Sequence, residues 1–367
     1  MLVSESQEAS LGEEAYRHEL RDSVLSHDAE ALRIVRKVGE RIARAANKPD
    51  YKWEFTVIND PEMVNAFALP GGKVAVYTGI FSVARDEAGL AVVLGHEVAH
   101  ALARHPGERM SQGQILQLLG AGLSVGLGSH PEVLQALGLG ASVGFILPFS
   151  RSQESEADRI GLILMAKAGY DPRVSLEVWE RMEKKESGKD RGAPPEFLST
   201  HPGYETRTQQ LRTFIPEALA YYRSEGGTWE LLPSPEALDN PTARAERELL
   251  KRIQAVNKQA GSDERAVVEA LGTTLRMDPS IVHRERQEVG LGYGQYAAIR
   301  GVSYLGRASP KRVFSDYRSG VSWSDIAQNN GTRLSELISF MGELTRTTAA
   351  IHSQLRNQPP IPRYRVR

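Results

Sequence analysis

Cysteine is absent from all 367 residues of this chain. Disulfides, a cysteine nucleophile and thiolate metal ligands are therefore excluded, and any zinc site has to be built from histidine and carboxylate. The absence does not assign a compartment. A clean transmembrane run of about 20 apolar residues is also missing. Ser4, Glu5, Ser6, Gln7 and Glu8 follow closely on Met1, too polar for an export signal. Two expectations remain, a cytosolic protein or a mature chain whose signal has been removed. The net charge of -1 gives no reason to expect a polyanionic partner for the chain as a whole.

Apolar residues make up 41% and charged residues 25%, the balance of a soluble globular protein with material for a substantial core. The length suits two domains. Charge divides unevenly: residues 1–240 hold 25 Lys and Arg against 34 Asp and Glu, whereas 241–367 hold 20 against 12. The halves thus carry −9 and +8, which suggests two modules. The proline-rich stretch Leu232-Pro233-Ser234-Pro235 through Pro241 is a natural boundary, and we expect domains at 1–235 and 236–367.

Residues 6–46 read as helix, with Leu32, Val35, Val38, Ile42 and Ala45 at helical spacing. Tyr51, Trp53, Phe55 and Val57 alternate with polar residues, the pattern of a half-buried strand. A second strand is expected at Asn65-Ala66-Phe67-Ala68, a turn at Leu69-Pro70-Gly71-Gly72, and a third strand from Lys73 to Thr78. From Asp86 to about His105 the pattern is helical and mostly apolar. Residues 114–149 carry a single charge, Glu132, and Ser129-His130-Pro131 splits them into two glycine-rich limbs. A helical hairpin packed on the protein is expected there, with peripheral membrane contact as the alternative. Helices are expected again at 152–168 and 173–186.

His96-Glu97-Val98-Ala99-His100 forms an HExxH motif inside a helical pattern. Residues four apart on a helix differ by about 40° and rise about 6 Å, so both imidazoles leave one face and can reach one ion. Glu97 stands beside them, placed to act on a water. The bland alternative is an amphipathic helix with two surface histidines. The apolar flanks, Leu90 to Leu94 and Val98 to Leu102, argue against it, because polar groups on a buried helix need partners or a metal. A catalytic zinc keeps three protein ligands and an open position. The third ligand is sought in Ser150-to-Asp158, where Glu154 and Asp158 share a helix face. One can ligate while the other orients a ligating histidine. Glu156 points elsewhere and is expected to be solvated, although spacing alone does not choose Glu154 over Glu156.

With these segments the chain resembles the zinc endopeptidases of the CAAX prenyl protease type, in particular their soluble, periplasmic bacterial branch that assists β-barrel assembly. The likeness covers roughly residues 5–230 and rests on Asn65-to-Gly72, Gly95-to-His100, Ser150-to-Asp158, and Ser199-Thr200-His201-Pro202 with Arg207. It implies that Glu154 ligates zinc and Asp158 supports His96. It makes His201 a candidate fourth ligand or regulatory plug, or a residue that lines the cleft. Arg207 is implied either to neutralise charge on the reaction intermediate or to form a structural ion pair. Asn65, Ala66, Phe67 and Ala68 become the edge strand to which a peptide substrate adds, or else an ordinary interior strand.

The expected fold is α+β and mostly helical, a zincin-like core with a three- or four-stranded sheet and a helical C-terminal module. One zinc per chain, polypeptide substrates drawn from misfolded or stalled envelope proteins, and a periplasmic or envelope location follow from the resemblance. The contrasting expectation is a latent or chaperone-like binding protein whose zinc site is closed by His201. Residues 241–367 match no named module. Trp323-Ser324-Asp325-Ile326-Ala327 through Glu336-Leu337 has a helix-turn-helix cadence, but no nucleic acid is expected, and an envelope-protein partner is the reading for this module. The glycine run Gly290-Leu291-Gly292-Tyr293-Gly294 is expected to be a loop rather than a phosphate cradle.

Overall fold

A computed structural model describes residues 3–108, 149–187, 196–201, 207–224 and 228–356. The expected hairpin at 114–149 lies outside the described residues except for Phe149. The chain divides into two compact units, Met1–Asp239 and Asn240–Arg367.

In the first unit α1 (Glu5–Arg21) is opened by a capping box between Ser4 and Gln7. The single helix expected over 6–46 is in fact two, α1 and α2 (Ala29–Ala46). The break has a clear cause. Residues between them run extended beside β1 (Glu54–Ile58), where Ser26 donates to Val57 at 2.8 Å and Asn59 to Val24 at 2.7 Å. The Asp28 side chain then accepts from the Ala31 amide and starts α2. This helix buries Ala31, Ile34, Val35, Val38 and Ile42 on one stripe, as the helical spacing requires.

The sheet has three strands in the order β1-β3-β2, with β2 at Ala66–Leu69 and β3 at Lys73–Tyr77. β1 pairs with β3 in parallel and β2 with β3 antiparallel. The hairpin between β2 and β3 turns through Gly71 and Gly72, at φ 89° and 90°, a conformation that glycine adopts without penalty. Among the described residues β2 is an edge strand. A short turn of helix, α3 (Phe81–Ala84), leads to α4 (Glu87–Leu102), started by Asp86, whose side chain accepts from the Gly89 amide.

Every residue of α4 from Glu87 to Ala101 is buried. The helix is packed by α2, by β2 and by α5 (Arg151–Lys167), so it shows no polar face. α6 (Val174–Ser187), the short α7 (Glu196–Thr200), α8 (Arg207–Leu219) and α9 (Pro235–Leu238) follow among the described residues of this unit. α4 and α5 meet at glycines. A Cβ on Gly95 would lie 2.8 Å from the Gly161 carbonyl oxygen, and one on Gly161 would lie 2.9 Å from the His96 amide nitrogen.

Among the described residues the second unit is all helical: α10 (Pro241–Ser262), α11 (Glu264–Leu275), α12 (Pro279–Val289), α13 (Tyr293–Gly306), α14 (Pro310–Arg318), α15 (Trp323–Asn329) and α16 (Leu334–Arg356). Gly290 closes α12 at φ 66° and Gly292 opens α13, so the glycine run is a helix connector. α15 and α16 are joined by a turn at Gly331, φ 79°, which gives the helix-turn-helix cadence its shape. No helix among the described residues is long and apolar enough to cross a membrane.

The glycine contact makes a prediction about stability. Gly161→Ala should lower stability by about 1–3 kcal/mol, because the added methyl meets rigid backbone. Gly261→Ala, where a Cβ meets nothing within 4 Å, should leave stability unchanged or raise it by up to about 1 kcal/mol. Urea unfolding of the two variants beside the parent checks both values.

Candidate metal centre

His96 and His100 project from one turn of α4. Glu154 and Asp158 project from one turn of α5, which is set by a capping box between Ser150 and Gln153. Because the two helices touch at Gly95 and Gly161, these four side chains meet in the interior. The residue that follows α7, His201, enters from a third side.

His96, His100, Glu154 and His201 each point one donor atom at a common centre, and all four side chains are buried. His100 Nε2 lies 3.1 Å from His96 Nε2 and 3.3 Å from Glu154 Oε1. His201 Nδ1 lies 3.3 Å from His96 Nε2 and 3.0 Å from Glu154 Oε1. His96 Nε2 is 3.5 Å from Glu154 Oε2. Donors bound tetrahedrally to zinc at about 2.05 Å are separated by about 3.3 Å, so this spacing suits the ion. The donor set, three imidazole nitrogens and a carboxylate, suits it as well. Among the described residues this is the group that could hold a metal.

Glu97 stands beside the cluster, 97% buried; its Oε1 lies 3.4 Å from His201 Nε2, and this oxygen has no hydrogen bond among the described residues. Burial pushes its carboxyl above the usual range, while nearby imidazoles and the Ala68 amide of β2 pull it down. The net rise makes Glu97 a better proton acceptor than a solvated carboxylate.

Charge is arranged in layers. Asp158 Oδ1 is 3.0 Å from His96 Nδ1 on the side away from the cluster. Behind it sits Arg207, from the first turn of α8 and 1% exposed. Its Nε and Nη2 donate to Asp158 at 2.9 and 2.8 Å, and its Nη1 is 2.9 Å from Glu154 Oε2. Its guanidinium carbon lies 3.5 Å from the centre of the Trp179 ring. Burial raises Asp158, but Arg207 and His96 outweigh it and hold this carboxyl low. Burial likewise raises Glu154, yet hydrogen bonds to His100, His201 and His96 keep it far below its ordinary value. Without a metal, burial works against a proton on His96, but Asp158 and Glu154 retain one up to about 9. Burial dominates at His100, which is held well below the ordinary imidazole value.

Three aromatic rings wall off the histidines. Phe149 stacks on His100 with centroids 3.8 Å apart, Phe197 on His201 at 4.5 Å, and Trp179 meets His96 edge-on at 5.7 Å. A cavity of about 350 Å³ opens beside them, lined by Asn65 to Leu69, Glu97, His100, Phe149 and His201 among others. The Asn65–Ala68 segment therefore borders the cluster, with Ala66–Ala68 in the edge strand β2.

His96, Glu97, His100, Glu154, Asp158 and His201 thus come together beside the Asn65–Ala68 segment. Arg207 lies behind the carboxylates rather than in the cavity. The sequence reading missed His105 and the aromatic wall, and it treated Glu156 as merely solvated. Glu156 is 59% exposed at its side chain, yet its Oε2 lies 3.2 Å from His105 Nε2.

Two imidazoles from one helical turn, a carboxylate from a second helix and an adjoining glutamate define a centre of the zinc metallopeptidase class. The chain belongs to Peptidase family M48, whose sequence model matches residues 30–215. It is 42% identical over 175 residues to the mitochondrial metalloendopeptidase OMA1 of Saccharomyces cerevisiae, an alignment covering 47% of this chain and 49% of that protein. It is 37% identical over 243 residues to the OMA1 protein of Schizosaccharomyces pombe, covering 63% and 69%. To the β-barrel assembly-enhancing protease of Escherichia coli it is 32% identical over 218 residues, covering 57% and 44%. The chain thus spans about half the length of most of these relatives and is more similar to the two mitochondrial ones.

Arg207 is the group whose loss this electrostatic layering makes most costly. Arg207→Ala should destabilise the zinc-free protein by about 3–5 kcal/mol, since it strands two buried carboxylates. Arg207→Lys should recover only part, because an ammonium cannot reproduce the paired bonds to Asp158. Denaturant midpoints for the three proteins check this, and an alanine variant as stable as the parent would contradict it.

Proposed function

We propose that this chain is a zinc-dependent metalloendopeptidase. In this reading His96, His100 and Glu154 hold the zinc, and Glu97 carries the proton in peptide-bond hydrolysis. The observation that carries the proposal is the convergence of four buried donor atoms beside Glu97 and an edge strand. Zinc held there supplies Lewis acidity, polarising a carbonyl and acidifying a water. Glu97 removes a proton from the attacking water and delivers it to the leaving amine. Asp158 holds His96 in the orientation and tautomer that present Nε2, and Arg207 holds Asp158 and Glu154 in place. The edge strand β2 binds an extended peptide by main-chain hydrogen bonds, which aligns it along the cavity.

The peptidase function belongs to residues 1–235, and residues 236–367 serve as a helical module for a protein partner. Substrates are polypeptides. Misfolded or stalled cell-envelope proteins, and an envelope location, are proposed from the segments shared with the bacterial β-barrel assembly-enhancing branch. The two mitochondrial relatives support a corresponding role inside an organelle.

A second reading is favoured by His201. Its Nδ1 sits within 3.0–3.3 Å of Glu154 and His96, where it would complete four-coordination and leave no place for a water. In this reading the described state is a latent one, and the peptidase acts when His201 withdraws.

Metal analysis and casein cleavage test both readings together. Glu97→Gln should retain one zinc per chain and lose about 10²–10⁴-fold in cleavage rate. His96→Ala and His100→Ala should lose the zinc itself. His201→Ala should keep the metal and cleave faster than the parent if His201 closes the site. A Glu97→Gln protein with full activity, or a parent indifferent to a chelator, would defeat the proposal.

A further inference from the structure

We infer that His105 and Glu156 form a second support of the metal centre, a hydrogen-bonded chain that fixes the tautomer and aim of His100; this rests on the zinc reading above. Asp158 does this for His96. Among the described residues no carboxylate pairs with the outer nitrogen of His100. Instead His100 Nδ1 lies 2.9 Å from His105 Nδ1. His105 Nε2 in turn lies 3.2 Å from Glu156 Oε2.

The protons along this chain can be assigned in only one way that leaves His100 able to ligate. A neutral imidazole has one N–H and one lone pair. His100 Nε2 faces the donor cluster and must present its lone pair to a metal, so its Nδ1 carries the hydrogen. His105 Nδ1 must then be the acceptor, which leaves the His105 hydrogen on Nε2. That hydrogen points at the Glu156 carboxylate, which can only accept. Each bond in the series dictates the next, and the carboxylate at the rim sets the tautomer at the ion.

The backbone is shaped to present His105. α4 ends at Leu102, and Arg104 adopts φ 60°, unusual for a residue with a side chain. Such a conformation persists only when its surroundings hold it. Here α1 and the residues just before it do so: Arg104 Nη2 donates to Glu8 Oε1 at 2.6 Å and to the Val3 carbonyl at 2.9 Å. The turn swings His105 back beneath His100, where it is 1% exposed. An uninterrupted helix would have carried it round to a different face.

His105 is thus a positioning residue, and zinc affinity is the readout. Zinc dissociation constants, measured by chelator competition on refilled protein, should separate hydrogen bonding from mere packing. His105→Phe keeps the ring but has no acceptor, and should weaken zinc binding about 10–100-fold. His105→Asn is smaller, but its Oδ1 hangs from the same carbon as the lost Nδ1 and can accept the His100 hydrogen. It should bind zinc more tightly than the phenylalanine variant. Glu156→Ala should lose less than His105→Phe, since water can replace an exposed carboxylate. A space-filling role predicts the opposite order, with phenylalanine harmless and asparagine defective. That order, or a phenylalanine variant with parental affinity, overturns the inference. A parent that takes up no zinc overturns the zinc reading and this inference with it.

Discussion

The site depends on the close approach of two helices at Gly95 and Gly161. Their backbones come near enough that a single methyl on either would strike main-chain atoms of the other. Only at that distance can two short carboxylates on α5 reach two imidazoles on α4. Gly95 directly precedes His96, and Gly161 follows Asp158 by less than a helical turn. The glycines therefore set the geometry of the cluster although neither has a side chain in it. The cost is a helix surrounded on all sides, and the buried polar groups on it must find their partners internally.

Counting those groups shows why a dication fits. Glu97, Glu154 and Asp158 are buried carboxylates, and Arg207 is the cation buried among them. With all three ionised and the histidines neutral, two negative charges lack a counterion among the described residues, which the low-dielectric interior tolerates poorly. A divalent ion cancels them. Without one, the structure compensates with protons: His96 holds one up to about 9, and the Glu97 carboxyl is pushed upward. Metal uptake must then displace protons, so binding and protonation are linked. The same balance favours Arg207 as a structural cation, for its charge is already committed to Asp158 and Glu154.

Much of this was legible in the sequence because helical periodicity is a local property. The i, i+4 spacing places His96 with His100 and Glu154 with Asp158, and alternation marks the strands before and after the Pro70-Gly71-Gly72 turn. The bond between α4 and α5 is a different matter. Spacing alone could not prefer Glu154 to Glu156; that preference came from family likeness, and it reflects which face of α5 meets Gly95. The break between α1 and α2 escaped because Ser26 and Val24 bond to β1, a contact made across some thirty residues of chain. His105 escaped for a related reason. Counting residues along a helix assumes that the helix continues, and the positive φ of Arg104 depends on α1.

His96 and His100 are supported in unlike ways, and the charge count gives a reason. Asp158 can stand behind His96 because Arg207 neutralises it from the far side. A second buried aspartate behind His100 would have no such partner, since the Arg207 fork is already occupied. It would add a third uncompensated charge to an interior that a single dication already only balances. A neutral imidazole in that place accepts the His100 hydrogen without adding charge. It also moves the carboxylate that fixes its tautomer outward to Glu156, where water bears the cost of ionisation. His105 thus holds His100 without adding charge to the side of the cluster that Arg207 does not reach.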